Sequence, residues 1–243
     1  MGEIVVDRLA EGVAAIRLDA PARKNALVGT MARDLVAAVR EVDRADEIGA
    51  VVVTGGVDAF CAGAHRDLLT AVAAGDPSAV EDIESVYEIF DAVGAMGTPT
   101  IAAVCGPAVG AGLNLALACG VRLVGDNAHL RSMFVANGIH PAGGHLRMLQ
   151  AIGGRSLAVR MAVFDQALDA DAAVAAGLAI AMHPAGDVEG VAVGLARYAA
   201  RHPRLARWIN RSITSVQQLD AAAASALEAA AQRETLQARG QVG

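Results

Sequence analysis

The sequence predicts a layered α/β domain, and three observations carry that prediction. Short apolar runs, alternating or continuous, are followed by longer stretches with one apolar face, in strand, strand, helix order, before a mostly helical last third. The chain has 243 residues, enough for one large core and too few for two comfortable ones. Hydrophobic residues make up 54% but aromatics only 3%, so small side chains fill closely packed layers.

Residues 3–9 and 12–18 read as two strands joined by a tight turn at Glu11 and Gly12. A loop through Pro21 to Leu27 leads to a helix at 30–45, where Met31, Leu35, Val36, Val39 and Val42 share one face opposite charged residues. The apolar run at 49–54 is a strand closed by Gly55 and Gly56. Helices are predicted at 65–74 and 78–95, then a buried strand at 99–104. A glycine-rich loop at 106–112 opens a helix to Cys119, followed by a strand at 121–125 and an extended piece near 128–134. Helices are expected at 143–152, 155–163, 170–176, 187–201, 204–215 and 220–238, with one strand at 178–182 among them. Such repeats imply right-handed crossovers. Residues 1–190 form the core in this division and 191–243 a C-terminal helical region. The alanine-rich helix between Gln217 and Gln237 either makes a subunit contact or packs on its own domain.

A formal net charge of -6 gives no general attraction to nucleic acid or to an anionic membrane surface. The stretch between Asp91 and Arg122 carries no charge and is long enough to cross a bilayer. Pro99, Gly106, Pro107, Gly110, Gly112 and Gly120 divide it into a short strand, a loop and a short helix, so no membrane span is expected. Cys61, Cys105 and Cys119 are odd in number and set in apolar stretches, which excludes a disulfide framework and a zinc site. A reducing cytoplasm fits, and Glu3 and Asp7 break the basic-then-apolar order of an export signal. His129, His140 and His145 lack metal-ligand spacing, so no metal is expected.

Two loops point to chemistry. Phe60, Cys61, Ala62, Gly63 and Ala64 follow the strand at 49–54, and Gly106 to Gly112 follow the strand at 99–104; each loop then opens a helix. Such junctions present free backbone N–H groups at the positive end of a helix, where an oxyanion is stabilised. Removing one preorganised donor of this kind costs roughly 3 kcal/mol of transition-state stabilisation. Neither loop matches a phosphate-binding pattern, since both lack a terminal Lys-Ser/Thr and a spaced glycine triplet with a downstream acid.

Together with Pro21-Ala22-Arg23-Lys24-Asn25-Ala26-Leu27, these loops form a recognisable order. PARKNAL, then AFCAGAHRDLL from Ala59 to Leu69, then AAVCGPAVGAGLNLALACGVRL from Ala102 to Leu123, then FVANGIHPAGG, resembles the enoyl-CoA hydratase/isomerase (crotonase) family along nearly the whole chain. The resemblance implies a spiral of ββα units with a helical C-terminal region, a homotrimer or dimer of trimers, and an acyl-CoA thioester as ligand. Coenzyme A is part of that substrate, and no separate cofactor is implied. Carried over, the oxyanion donors are the N–H groups of Ala64 and Ala111, with Ala111 standing where glycine is more usual. Ala62 lies beside the adenine and the Ala22–Lys24 backbone along the pantetheine arm. Arg23 and Lys24 either offset the ligand's phosphates or are ordinary surface residues.

The two acids that a hydratase of the family uses fall on Asn114 and Phe134. An amide orients water but is no base at neutral pH, and phenylalanine moves no protons. Phe134 is left as a substrate-contacting side chain. His140 lies near where isomerase-like relatives place a carboxylate, and is either the catalytic acid–base or a loop histidine in a structural hydrogen bond. His65, beside the first loop, borders the substrate, and with Asp67 it caps or anchors the next helix. Cys61 is a small buried cysteine or, alternatively, a nucleophile. The expected activity is a CoA-thioester lyase or isomerase reaction in fatty-acid or related acyl-CoA metabolism. The alternatives are a non-catalytic acyl-CoA binder and a thioester hydrolase.

Overall fold

The computed structural model describes residues 3–240. Strands β1 (Ile4–Leu9) and β2 (Val13–Leu18) form an antiparallel hairpin, turned by Glu11 and Gly12 in left-handed conformations at φ 64° and 73°. Helix α1 (Gly29–Arg44) crosses to β3 (Ala50–Thr54), which pairs parallel with β2. After α2 (Arg66–Ala73) and α3 (Pro77–Gly94), β4 (Thr100–Val104) joins parallel to β3. The short strand β5 (Pro107–Val109) and helix α4 (Ala111–Ala118) precede β6 (Val121–Gly125), which lies parallel to β4. There follow β7 (His129–Arg131), α5 (His145–Ala162), β8 (Leu168–Asp169), α6 (Ala170–Ala175) and β9 (Ala181–His183). The chain ends in α7 (Val188–Ala200), α8 (Pro203–Val216) and α9 (Ala221–Gly240). The main sheet runs β1-β2-β3-β4-β6-β9, and β5, β7 and β8 form a second sheet of three strands.

The continuous apolar runs of the central strands follow from burial on both faces. Val51, Val53, Ala102 and Val104 point into the larger core with Leu35 of α1, Ile89 of α3 and Leu113 of α4. Their neighbours Ala50, Val52, Ile101 and Ala103 point the other way, onto Val188, Ala192, Ala196 and Ala200 of α7. Each fully buried Leu or Ile contributes roughly 1.5–3 kcal/mol.

The C-terminal helices attach through polar side chains as well. The buried Arg207 guanidinium of α8 donates to the carbonyls of Asp43 (2.6 Å), Ala45 (2.6 Å) and Ile48 (3.1 Å), capping the negative end of α1. Asn210 adds bonds to the Met96 and Gly97 carbonyls. In α9, by contrast, no side chain is buried among the described residues, and an apolar groove lined by Leu205, Ile209, Ile213 and Ala231 runs between it and α8.

Several boundaries differ from expectation. The 106–112 loop contains β5, formed because Pro107–Val109 lies in register with His129–Arg131, and β8 is a strand that the local sequence does not announce; both pair only with residues distant in the chain. The strand expected at 178–182 lies at Ala181–His183. The two helices expected at 143–152 and 155–163, by contrast, are present within α5, separated by a kink at Gly154, whose φ of 72° and ψ of 179° are not helical. The division at residue 190 falls inside α7, whose buried residues lie on both sides of it.

Candidate active site

Three segments distant in sequence lie side by side. Leu27 bridges to Ala64 and Cys61 to Ala108, both in parallel fashion. The bonds are Ala62 N to Lys24 O (2.9 Å), Leu27 N to Gly63 O (2.7 Å), His65 N to Leu27 O (2.9 Å) and Cys61 N to Pro107 O (3.0 Å). These consume the Ala62 and His65 N–H groups on either side of Ala64, while the Ala64 N–H itself has no acceptor among the described residues. Ala111 is the first residue of α4, preceded by Gly110 at φ 53° without a side-chain cap, and its N–H likewise has none. Gly63, at φ 97°, brings the two together: a Cβ there would lie 2.7 Å from the Val109 carbonyl and 3.6 Å from the Ala111 nitrogen. A Cβ at Gly112 would collide with the Cys61 carbonyl, so both glycines permit the close approach. Ala64 and Ala111 are both partly exposed residues.

Asn25 clamps this arrangement from behind. It is buried with a left-handed φ of 57°; its Oδ1 accepts from Ala20 N (2.8 Å) and its Nδ2 donates to the Gly55 and Ala59 carbonyls (both 2.9 Å). The Cys61 thiol donates to the Asn25 carbonyl at 3.1 Å, and burial pushes its pKa up to about 12, so it is a buried structural thiol and not a nucleophile. Ala62 is partly exposed beside the donors, and Ala22 is exposed in a 3₁₀ turn at Pro21–Arg23. Arg23 is committed within the fold, donating to Glu3 (2.6 Å) and to the Ala26 carbonyl (2.7 Å), whereas Lys24 is exposed. His65 is the N-cap of α2, its Nδ1 accepting from Asp67 N at 3.3 Å.

One turn further along α4, at Asn114, begins a buried polar chain. Asn114 Nδ2 donates to the Ala142 carbonyl (2.9 Å), which only accepts, and so the amide turns Oδ1 toward His145. That oxygen accepts from His145 Nδ1–H at 2.7 Å, leaving Nε2 as the acceptor for the Ser132 hydroxyl, also at 2.7 Å. Asn114, Ser132 and His145 are each 1% exposed. Burial lowers the His145 pKa to about 4, so the ring is neutral near pH 7. The Phe134 ring meets the His145 ring edge-on at 4.8 Å between centroids. Ser132 is braced on both flanks by Asp165, which accepts from the Arg131 guanidinium (2.6 Å) and from Met133 N (2.8 Å), with Met133 at φ 60°. His140 is exposed, and its Nδ1 pairs with the Pro141 carbonyl at 2.7 Å. Among the described residues, no group of three His, Cys, Asp or Glu side chains is placed to hold a metal ion.

The structure thus brings together Ala62, Ala64 and Ala111 at one edge, and Asn114 and Phe134 around His145. His145 and Ser132 carry no signal of their own in the sequence. The trace that leads to them is Asn114, a polar residue inside the otherwise apolar helix Ala111–Ala118, since a buried amide requires partners.

A spiral of strand, strand, helix units, with two donor-bearing loops meeting at the start of one helix, defines the crotonase class of α/β proteins. Residues 8–242 match the family model described as enoyl-CoA hydratase/isomerase. The chain is 43% identical over 192 residues to a Mycobacterium tuberculosis protein named probable enoyl-CoA hydratase EchA14, covering 79% of this chain and 73% of that one. It is 34% identical over 186 residues to the same organism's probable enoyl-CoA hydratase EchA17, covering 76% and 70%. Among solved structures, an enoyl-CoA hydratase from Polaromonas sp. JS666 is similar with a TM-score of 0.88 at 27% identity, over 96% of this chain and 91% of that one. Pseudomonas aeruginosa DspI gives 0.83 at 29% identity, over 90% and 82%. This chain belongs to the enoyl-CoA hydratase/isomerase family.

Proposed function

We propose that the protein binds an acyl-CoA thioester with its carbonyl oxygen between the Ala64 and Ala111 N–H groups, polarising the carbonyl and stabilising negative charge on its oxygen. The observation that carries this is the pair of backbone donors without acceptors, brought together by Gly63 at the positive end of α4. Ala62 contacts the adenine and the exposed Ala22–Lys24 backbone follows the pantetheine arm. Lys24 faces the ligand's phosphates, because Arg23 is already neutralised by Glu3. Phe134 borders the acyl group.

Hydration of a double bond is not the activity favoured here. Asn114 spends its amide on Ala142 and His145, Phe134 supplies no proton, and His140 bonds its own neighbour. The substrate belongs to fatty-acid or related acyl-CoA metabolism. Three free cysteines, all buried, suit the cytoplasm. No described helix is long and apolar enough to cross a membrane. The exposed apolar side chains Ile209, Ile213 and Leu236 of the last two helices suit subunit contacts in a trimer or pair of trimers.

The test incubates the purified protein with short and long 2-enoyl-CoA, measuring binding by calorimetry and hydrated product by mass. Binding without hydrated product is the expected result. Failure of every acyl-CoA to bind refutes the assignment, and rapid accumulation of the 3-hydroxyacyl product refutes the reading of Asn114 and Phe134.

A further inference from the structure

We propose that Ser132 is an acyl-accepting nucleophile, activated by His145 and oriented through Asn114, which makes this site an acyl-CoA thioester hydrolase acting through a serine ester. The inference rests on the acyl-CoA reading above and adds the reaction. A hydroxyl 2.7 Å from an imidazole Nε2, with an amide oxygen 2.7 Å from Nδ1, reproduces the nucleophile, base and orienter of acyl-transfer enzymes. The order of roles is set by one contact: the Ala142 carbonyl fixes the Asn114 amide, the amide fixes the Nδ1–H tautomer, and the tautomer leaves Nε2 as base.

The trio is also tied to the helix start that carries the Ala111 donor, since a Cβ at Gly110 would lie 3.6 Å from the Ser132 carbonyl oxygen. Asn114 lies one turn into α4, whose first N–H is that of Ala111, and Gly110 N donates to the Arg131 carbonyl at 3.0 Å, so the chain entering Ser132 runs along the start of α4. Asp165 bonds the residues on either side of Ser132, with Met133 at a φ of 60°, and so braces the backbone that carries the hydroxyl. Ser132 is 1% exposed, and the partly exposed Phe134 ring packs edge-on against His145, so acylation requires the acyl group to move that ring aside to reach the hydroxyl.

In the acylation step, Ser132 Oγ attacks the thioester carbon and gives its proton to His145 Nε2. The carbonyl electron pair moves onto oxygen between the Ala64 and Ala111 donors. The C–S bond then breaks, and coenzyme A leaves as a thiol with the proton from His145. In the second step water attacks the serine ester, its proton passes to His145, and the ester C–O bond breaks. Ser132 recovers a proton and the carboxylic acid departs.

The experiment uses the full chain with saturated acyl-CoA of increasing length. Thiol release, rapid-quench intact mass with peptide mapping, and calorimetric affinity are measured for the native protein and for Ser132→Ala and Ser132→Cys. The expected result is thiol release, an acyl adduct mapped to Ser132, and a persistent adduct on S132C. In S132A release falls at least about 100-fold while affinity changes little. Undiminished release from S132A overturns the proposal, as does acyl-CoA that binds without release or adduct; in that second case the binding reading still stands. If no acyl-CoA binds, both fall together.

Discussion

Acidification tests the buried His145 chain in a way that activity assays cannot. In the fold the ring accepts the Ser132 hydroxyl and donates to Asn114, and burial lowers its pKa from 6.5 to about 4. Between those two values the unfolded chain holds a proton that the native protein does not, so unfolding takes up a proton and stability falls as pH falls. The contribution is fully present above pH 6.5 and is lost progressively toward pH 4. Each tenfold change in proton affinity is worth about 1.4 kcal/mol, so the whole effect is about 3 kcal/mol. The assay is urea unfolding followed by far-ultraviolet circular dichroism at a series of pH values, for the native protein and for His145→Gln. Circular dichroism is preferred because the single tryptophan, Trp208, sits on α8 and reports the docking of that helix. Carboxylates such as Glu3, held low by the Arg23 guanidinium that hydrogen-bonds it, add acid sensitivity to both proteins, and the difference between the curves removes it. H145Q should be less stable at pH 8 but lose less on acidification, so the curves converge toward pH 4. Parallel curves across that range refute the assignment of a neutral, buried imidazole.

Two further substitutions probe the donor pair and its support. Ala111→Pro removes one N–H at a helix position where proline is tolerated, after a glycine that leaves room for the ring. Any thioester turnover should fall about 100-fold with the unfolding midpoint little changed, and acyl-CoA affinity should drop toward that of free coenzyme A; kinetics and titration together check this, and unchanged turnover counts against Ala111 as a donor. Asn25→Ala strands the Ala20 N–H and the Gly55 and Ala59 carbonyls and puts alanine at a left-handed φ, costing about 2–4 kcal/mol in denaturant unfolding and weakening acyl-CoA binding. A loss below about 1 kcal/mol would show that the clamp is dispensable.

Much of this architecture was legible from the chain because its signals are local. The runs at Ala50–Thr54 and Thr100–Val104 carry no charge because both faces of those strands are covered, and the periodicity of Met31, Leu35, Val39 and Val42 identifies the buried side of α1. The strands β5 and β8 left no such trace: three and two residues long, they exist only because partners far along the chain lie in register with them. The two loops could be found because their glycines follow buried strands and precede helices, and the individual donors Ala64 and Ala111 were implied by the resemblance to the family's motifs. The Ser132–His145 pair could not, since the two stand 13 residues apart and His145 lies 31 from Asn114, with a loop and two helices setting their geometry. His140, two residues before Ala142, has the sequence context of the more reactive histidine, yet it is the exposed one. Burial and a fixed tautomer, which distinguish His145, are properties of packing.

The central claim, a thioester carbonyl held between the Ala64 and Ala111 N–H groups, is tested most directly by infrared difference spectroscopy of an acyl-CoA isotopically labelled at that carbonyl. Two aligned donors draw electron density onto oxygen and weaken the C=O bond. The band should move to lower frequency on binding to the native protein and move back part of the way in A111P. A saturated complex whose carbonyl band stays at its solution frequency would contradict that claim.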